Sequence, residues 1–395
     1  MANENSSAII SKVWGMCNPL RDDGVSHGDY LEQLTYLLFL KMADEYSKPP
    51  YNRDAGIPKG YRWSDLNLLK AADLEEQYKE TLETLGEKSG MLGQIFKGAI
   101  NKSSNAAILY RIGQMIDKEK WVAMSSDVKG EIYEGLLQKN AEDIKSGAGQ
   151  YFTPRPLIKA MVECIAPEPM KTIADPCCGS GGFFLAAQSF LSNPNNYALD
   201  REQKEFLKNK TFYGNEIVGA TFKTALMNLY LHNIGDIYTE APITLGDALL
   251  TDPGYRVDYV LTNPPFGKKS SITFTNEDGE QEDEDLVYNR QDFWTTSSNK
   301  QLNFIQHINT ILKPTGKAAV VLPDNVLFEG GAGESIRKKL LKLQTYTQFL
   351  DFLLEFFINR ELKQMCCFLI NVLQVQKFRR KKFGYMILEL MFILH

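Results

Sequence analysis

The sequence predicts an open α/β sheet preceded by an N-terminal α-helical domain. Three observations carry that prediction. Short apolar runs rich in β-branched and aromatic residues recur after residue 170, each ending in a polar or glycine-rich turn, as buried strands do. Ala220 to His232 lies between two of these runs and reads as a crossover helix. Residues 1–145 instead carry the i, i+3, i+4 spacing of helix faces.

The chain of 395 residues is long enough for a large core and two domains. Apolar content of 44% and charged content of 24% are ordinary for a globular protein. A formal net charge of −5 argues against gripping a polyanion unaided. If nucleic acid is the substrate, a more basic partner supplies much of the grip. The 6 cysteines form no disulfide framework at this length, and adjacent Cys177-Cys178 lack metal-ligand spacing. No signal peptide or long apolar span is evident, so the expected compartment is the cytoplasm, with no membrane partner.

In the first domain, Leu31, Leu34, Leu37, Leu38 and Met42 share one helix face. Lys70 to Leu85 is a second helix with Gly86 as its stop, and Asn105 to Met115 and Val128 to Leu137 are two more. Nothing here has catalytic spacing, which suits a domain that binds substrate or partners.

Glycines and prolines break the helical run at Lys145-Ser146-Gly147-Ala148-Gly149-Gln150-Tyr151-Phe152-Thr153-Pro154-Arg155-Pro156. This stretch is either a linker, with Thr153 capping a helix that Pro154 opens, or a loop that sets Tyr151, Phe152 and free helix amides against a ligand.

Thr172-Ile173-Ala174-Asp175-Pro176-Cys177-Cys178-Gly179-Ser180-Gly181-Gly182-Phe183 follows as strand, acidic residue, glycine turn and helix. The turn brings backbone close to a ligand, and it matches neither the dinucleotide pattern nor a phosphate-binding loop. An acidic residue before the glycines suits a cationic amine better than a pyrophosphate. Two further strands end in Glu216 and Asp247. Each is either a solvated carboxylate or an acceptor, Glu216 for ribose hydroxyls and Asp247 for an adenine amino group.

The strand Val257 to Leu261 stops at Asn263-Pro264-Pro265-Phe266. Neither proline donates to a ladder, and Pro264 keeps Asn263 out of the helical region. This is either a rigid strand-closing turn or a loop for an exocyclic amino group, with the Asn263 side chain and Pro264 carbonyl as acceptors and Phe266 as a stacking face. The acidic run Asn276 to Asp285 reads as an exposed, mobile loop. Lys268, Lys269, Arg290 and Lys300 are candidate phosphate contacts. Lys313 to Gly316 reads as a turn between a helix, Leu302 to Leu312, and a strand, Lys317 to Pro323.

Asp175-Pro176-Cys177-Cys178-Gly179-Ser180-Gly181-Gly182-Phe183 together with Asn263-Pro264-Pro265-Phe266 resembles the cofactor and catalytic motifs of amino-group DNA methyltransferases. Gly149 to Arg155 upstream, the helical domain, and Thr296 to Phe304 extend the resemblance to the modification (M) subunit of type I restriction–modification systems. It covers roughly residues 1–341; Asn-Pro-Pro-aromatic alone also occurs in RNA and glutamine methyltransferases. The resemblance implies an S-adenosylmethionine-dependent methyltransferase (Rossmann-like) sheet at 146–341 behind a helical domain at 1–145 that contacts partner or DNA. It implies N6 methylation of adenine in duplex DNA after base flipping. The partners it implies are a specificity (S) subunit, a second M subunit and a restriction (R) subunit, and no metal takes part. The implied catalytic residues are Asn263, Pro264, Pro265 and Phe266. The implied cofactor residues are Gln150, Tyr151, Phe152, Thr153, Pro154, Arg155, Asp175, Gly179, Ser180, Gly181, Gly182, Glu216 and Asp247.

Residues 342–395 depart from the family pattern. All 16 prolines lie at or before Pro323, and after Gly333 only Gly384 appears. A reading-frame shift near Leu340 to Thr345 or a genuine helical tail on a partner would each produce this. A truncated, inactive remnant that keeps only partner or cofactor binding is the alternative function.

Overall fold

A computed structural model describes residues 11–25, 27–103, 105–122, 153–265, 271–275, 281–285, 287–323, 325–343 and 365–371. In chain order the helices are α1 (Asn18–Asp22), α2 (His27–Ser47), α3 (Trp63–Leu66), α4 (Ala71–Gly86), α5 (Gly90–Phe96), α6 (Ala106–Asp117), α7 (Arg155–Ile165), α8 (Gly182–Ser192), α9 (Arg201–Asn209), α10 (Gly219–Leu231), α11 (Lys300–Ile311), α12 (Asn325–Phe328) and α13 (Ala332–Leu343). The strands are β1 (Ile173–Asp175), β2 (Phe212–Glu216), β3 (Ile243–Leu245), β4 (Val257–Thr262), β5 (Ser271–Thr275), β6 (Gln281–Asp285), β7 (Leu312–Pro323) and β8 (Met365–Asn371). The helix expected over Val128 to Leu137 lies outside the described residues.

Two compact units result, and they do not follow chain order. The first comprises Met1–Ala148, Gly179–Gly181 and Val218–Thr244. Helix α2 is its axis, with Leu34, Leu38, Phe39 and Met42 fully buried. Asn105 caps α6 by accepting from the Ala107 amide at 2.9 Å. The crossover α10 belongs to this unit. Lys223 donates to Glu32 Oε1 at 3.1 Å and to the Tyr36 hydroxyl at 2.9 Å, and Tyr46 donates to the Leu231 carbonyl at 3.0 Å. The Arg53 guanidinium sits 3.8 Å from the centre of the Tyr230 ring.

The second unit comprises Gly149–Cys178, Gly182–Ile217 and Leu245–His395. Within this unit the main sheet runs β2-β1-β4-β7-β8. The β1–β2, β1–β4 and β4–β7 pairs are parallel, and β8 joins β7 antiparallel. On one face Val260, Ala318, Val320 and Leu322 pack with Leu302, Ile305 and Ile308 of α11 and with Ile336 and Leu340 of α13. Alternate residues of the same strands point the other way, the side on which α7 contacts β4 and β7. With both faces covered, the central stretches Tyr259 to Leu261 of β4 and Ala318 to Leu322 of β7 are continuously apolar, as parallel strands require.

Three expectations are corrected here. Lys313 to Gly316 does not separate helix from strand: β7 begins at Leu312, and the four residues form a register irregularity between Val257↔Leu312 and Tyr259↔Lys317. The parallel neighbour supplies bonds on both sides, so the chain need not leave the sheet. The acidic stretch is not a plain loop, because β6 pairs with β5 from Ser271↔Asp285 to Thr275↔Gln281. The β-prone Ser-Ile-Thr-Phe-Thr run forms the partner strand; residues 276–280 lie outside the described residues. Gly86 closes α4 as its last helical residue rather than following it.

Ile308 is fully buried between α11 and the sheet. Ile308→Ala is expected to destabilise the sheet-bearing unit by about 2–5 kcal/mol, read as a lower denaturant midpoint of its unfolding transition.

Candidate functional site

The chain passes from β1 to β2 on one side and later returns to place β4 on the other side of β1. That reversal is a topological switch point, and open α/β sheets bind ligands outside the carboxyl ends of strands there. Register pairs Ala174 with Val260, so β1 delivers Asp175 and β4 delivers Thr262 and Asn263 to the same edge.

Asn263 is half-buried, Pro264 buried and Pro265 exposed. The Asn263 amide nitrogen donates to Thr153 Oγ1 at 2.8 Å across 110 residues of sequence. Its Oδ1 is buried and has no hydrogen-bond partner among the described residues. A buried acceptor left unmade costs about 1–3 kcal/mol, so this oxygen is poised for a donor from outside the chain. Gln301 supports the loop from behind: its Nε2 faces the Pro265 carbonyl at 3.4 Å, and its Oε1 is also buried and unpartnered. Asn299 caps α11, accepting from the Gln301 and Leu302 amides at 3.0 and 3.3 Å, and so aims Gln301.

Thr153 therefore does not cap α7. Pro154 holds the N-cap position without a side-chain bond, and the helix opens at Arg155. The Asn263 amide engages the hydroxyl that the sequence offers as a cap. Gln150, Tyr151, Phe152 and Phe266 lie outside the described residues.

Asp175 is 1% exposed and its Oδ1 accepts the Cys177 amide at 3.0 Å. Its carboxylate shapes the turn from within. Burial pushes its pKa up to about 7, and the neighbouring Glu216 charge adds to the rise. Burial, reinforced by the nearby carboxylates, also raises the Cys177 and Cys178 thiols, which leaves them protonated and non-nucleophilic at neutral pH. The Cys178 amide donates to the Asn215 carbonyl at 2.9 Å, and the Gly246 amide to the Glu216 carbonyl at 2.9 Å. Backbone bonds thus tie the ends of β1 and β2 and the loop before Asp247 together. Asp247 accepts the Leu249 amide on Oδ1 at 2.9 Å and the Tyr288 hydroxyl on Oδ2 at 2.7 Å. Ile217, next to Glu216, is 64% exposed, an apolar surface the sequence reading did not single out.

Within the first unit, Gly179 and Gly181 hold φ of +53° and +84°, which a side chain would strain. A Cβ on Gly181 would also lie 3.1 Å from Leu229 of α10. Asn228 of α10 donates to the Ser180 carbonyl at 3.0 Å and fixes the turn in that unit. Gly182 opens α8.

Arg290 is not free for phosphate. It donates to both oxygens of Asp292 at 3.0 and 2.6 Å, to the Leu249 carbonyl at 3.3 Å and to His307 Nδ1 at 3.0 Å. Burial, with Arg290 alongside, lowers His307 to about 4, so the ring is neutral and accepts that bond. Although burial alone would raise Asp292, its bonds from Arg290 and Thr310 bring it down to about 2. The network braces the Asp247 loop against α11. Lys268 and Lys269 lie outside the described residues. Among the described residues no cluster of His, Cys, Asp or Glu has metal-binding geometry, and no helix is long and apolar enough to cross a membrane.

A parallel sheet with a switch point, a glycine turn after β1 and an amide-bearing loop after β4 make this a nucleotide-edge α/β fold of the methyltransferase type. Over 86% of the chain the fold matches the solved methyltransferase subunit of a type I restriction-modification system from Streptococcus thermophilus, with a TM-score of 0.64, 20% identity and 79% of that chain covered. Residues 124–382, well over half of the chain, match the N-6 DNA Methylase family, and residues 9–118 match the HsdM N-terminal domain. The chain belongs to the N-6 DNA methylase family. It is 38% identical over 347 residues to the methylase subunits of the type I restriction enzymes StySPI from Salmonella potsdam and EcoKI from Escherichia coli K12. The match takes in 85% of this chain and 62% of each relative's length. The family match reaches residue 382 and so includes β8.

Asp175 predicts a pH signature. The unfolded carboxyl ionises near 4 and the folded one near 7. The folded state therefore holds the proton longer, and the stability this confers is complete below pH 4 and lost as pH rises toward 7, by about 4 kcal/mol in all. Asp175→Asn is expected to flatten the fall in Tm of the ligand-free chain between pH 5 and pH 8. Parallel Tm–pH curves for the two proteins would contradict the assignment.

Proposed function

We propose that the chain is the methylating subunit of a type I restriction–modification complex, transferring a methyl group to adenine N6 in duplex DNA. The observation that carries this reading is the buried, unpartnered Oδ1 of Asn263 at the switch point, its amide nitrogen already engaged by Thr153. An amino group has two hydrogens to give, and Oδ1 with the Pro264 carbonyl offers two acceptors side by side. Accepting both turns the nitrogen lone pair out of the ring plane and toward an electrophile. Phe266 supplies the face on which the flipped base stacks, since the amino group cannot be reached within the duplex.

S-adenosylmethionine, when bound, supplies the methyl group on a sulfonium. The residues fit such a ligand. Glu216 ends β2 where ribose hydroxyls need an acceptor, with the exposed Ile217 beside it as an apolar face. Asp247 keeps a second lone pair on each oxygen for an amino group. The turn Gly179, Ser180, Gly181, Gly182 offers backbone without side-chain hindrance, and Asp175 holds the start of that turn. Gln150, Tyr151, Phe152, Pro154 and Arg155 complete the set in this reading. What the chain's own groups contribute is mainly orientation and exclusion of water, a positioning catalysis that needs no metal.

The partners we infer are duplex DNA, a specificity subunit, a second methylating subunit and a restriction subunit, met in the cytoplasm. The net charge of −5 supports this division of labour, because an acidic chain needs help to hold DNA. The relatives' names, all methylase subunits of type I restriction enzymes, support it as well.

The test is transfer of labelled methyl from S-adenosylmethionine to duplex DNA by the full chain with its specificity subunit. Asn263→Ala is expected to lower transfer by at least about a hundredfold, with S-adenosylmethionine binding retained. Near-native transfer by that variant would overturn the reading.

A further inference from the structure

Among the described residues, Thr153 is the side chain that holds the Asn263 amide, and it comes from a different part of the chain. A side-chain amide has two unlike ends, and only the oxygen can accept from an amino group. Presenting the oxygen to a substrate turns the NH2 end back into the protein. There the Nδ2 donor needs an acceptor, or it is buried unpaired. The Thr153 hydroxyl is that acceptor, at 2.8 Å, and Oδ1 is consequently left open. The placement has a structural cause. Thr153 immediately precedes α7, α7 packs on β4, and β4 ends at Thr262. Packing of that helix therefore sets the hydroxyl beside the loop, and Pro154 at the N-cap position leaves it without a capping role.

We propose that Thr153 is a positioning residue for methyl transfer: its hydroxyl takes the Nδ2 donor of Asn263 and so orients the amide with its oxygen toward the target amino group. This rests on the methyltransferase reading above. It gives Thr153 a role through Asn263 and not through the cofactor.

The experiment compares Thr153→Val, which keeps the shape and removes the acceptor, with Thr153→Ser, which keeps the hydroxyl, in the full chain with its specificity subunit. Thr153→Val leaves an unpaired donor only in the productive orientation. It is expected to lower kcat about 10- to 100-fold while the KM for duplex DNA and the Kd for S-adenosylmethionine stay at native values. Thr153→Ser is expected to restore kcat. Should Thr153→Val fold poorly by circular dichroism, Thr153→Ala serves the same comparison against Thr153→Ser. Native kcat in the variant lacking the hydroxyl overturns the proposal. So does a weakened S-adenosylmethionine Kd that accounts for the whole loss, which would make the hydroxyl a cofactor contact. Asn263→Ala measured alongside separates the two levels: if it stays active the methyltransferase reading fails, and if it is inactive while Thr153→Val is fully active only the positioning role fails.

Discussion

Parallel pairing of β1 with β4 is the constraint on which the site depends. It reverses strand order at the centre of the sheet and brings Asp175 and Asn263, distant in sequence, to one edge. A slip of one residue would turn each strand's apolar set out of the core, where Val260 and Ala174 are fully buried, so the register is held by packing as well as by hydrogen bonds. The chemistry at the edge inherits its precision from that core.

The edge stores polar groups that the fold does not satisfy. Among the described residues, Asn263 Oδ1 and Gln301 Oε1 are buried without partners, and both sit on or against the Asn-Pro-Pro loop. Asp175 is buried with its pKa raised to about 7 by desolvation. Each of these costs stability in the ligand-free chain, and their concentration at the switch point is what a binding edge looks like energetically. The surrounding bonds resist the obvious relief. Thr153 holds the Asn263 amide, Asn299 aims Gln301, and Arg290 clamps the loop after Asp247.

Much of this is legible in the amino-acid sequence alone. The glycine turn follows β1 where the sequence puts it, with Gly179 and Gly181 at positive φ, and Glu216 and Asp247 stand at or just beyond strand ends. These features are local: a glycine's freedom and a strand's apolar run act within a few residues. Where the reading failed, the deciding partner was remote. Thr153 looked like a helix cap until β4 delivered an amide to it. Arg290 looked like a phosphate ligand until Asp292, Leu249 and His307 surrounded it. The acidic run looked unpaired until β5 lay beside it.

The sequence by itself determined the elements, their order and the chemical kinds placed at strand ends, because propensity, periodicity and turn residues act locally. It also carried the family, through motifs whose order along the chain is specific in combination. Only the tertiary structure decided which donors meet which acceptors. It engaged the Asn263 nitrogen with Thr153 and left the buried oxygen without a partner among the described residues, and it withdrew Asp175 into the turn it shapes. It also assigned the crossover helix α10 to the unit built on the N-terminal helices. Those outcomes depend on contacts between residues far apart in the chain, and packing, not local preference, selects among them.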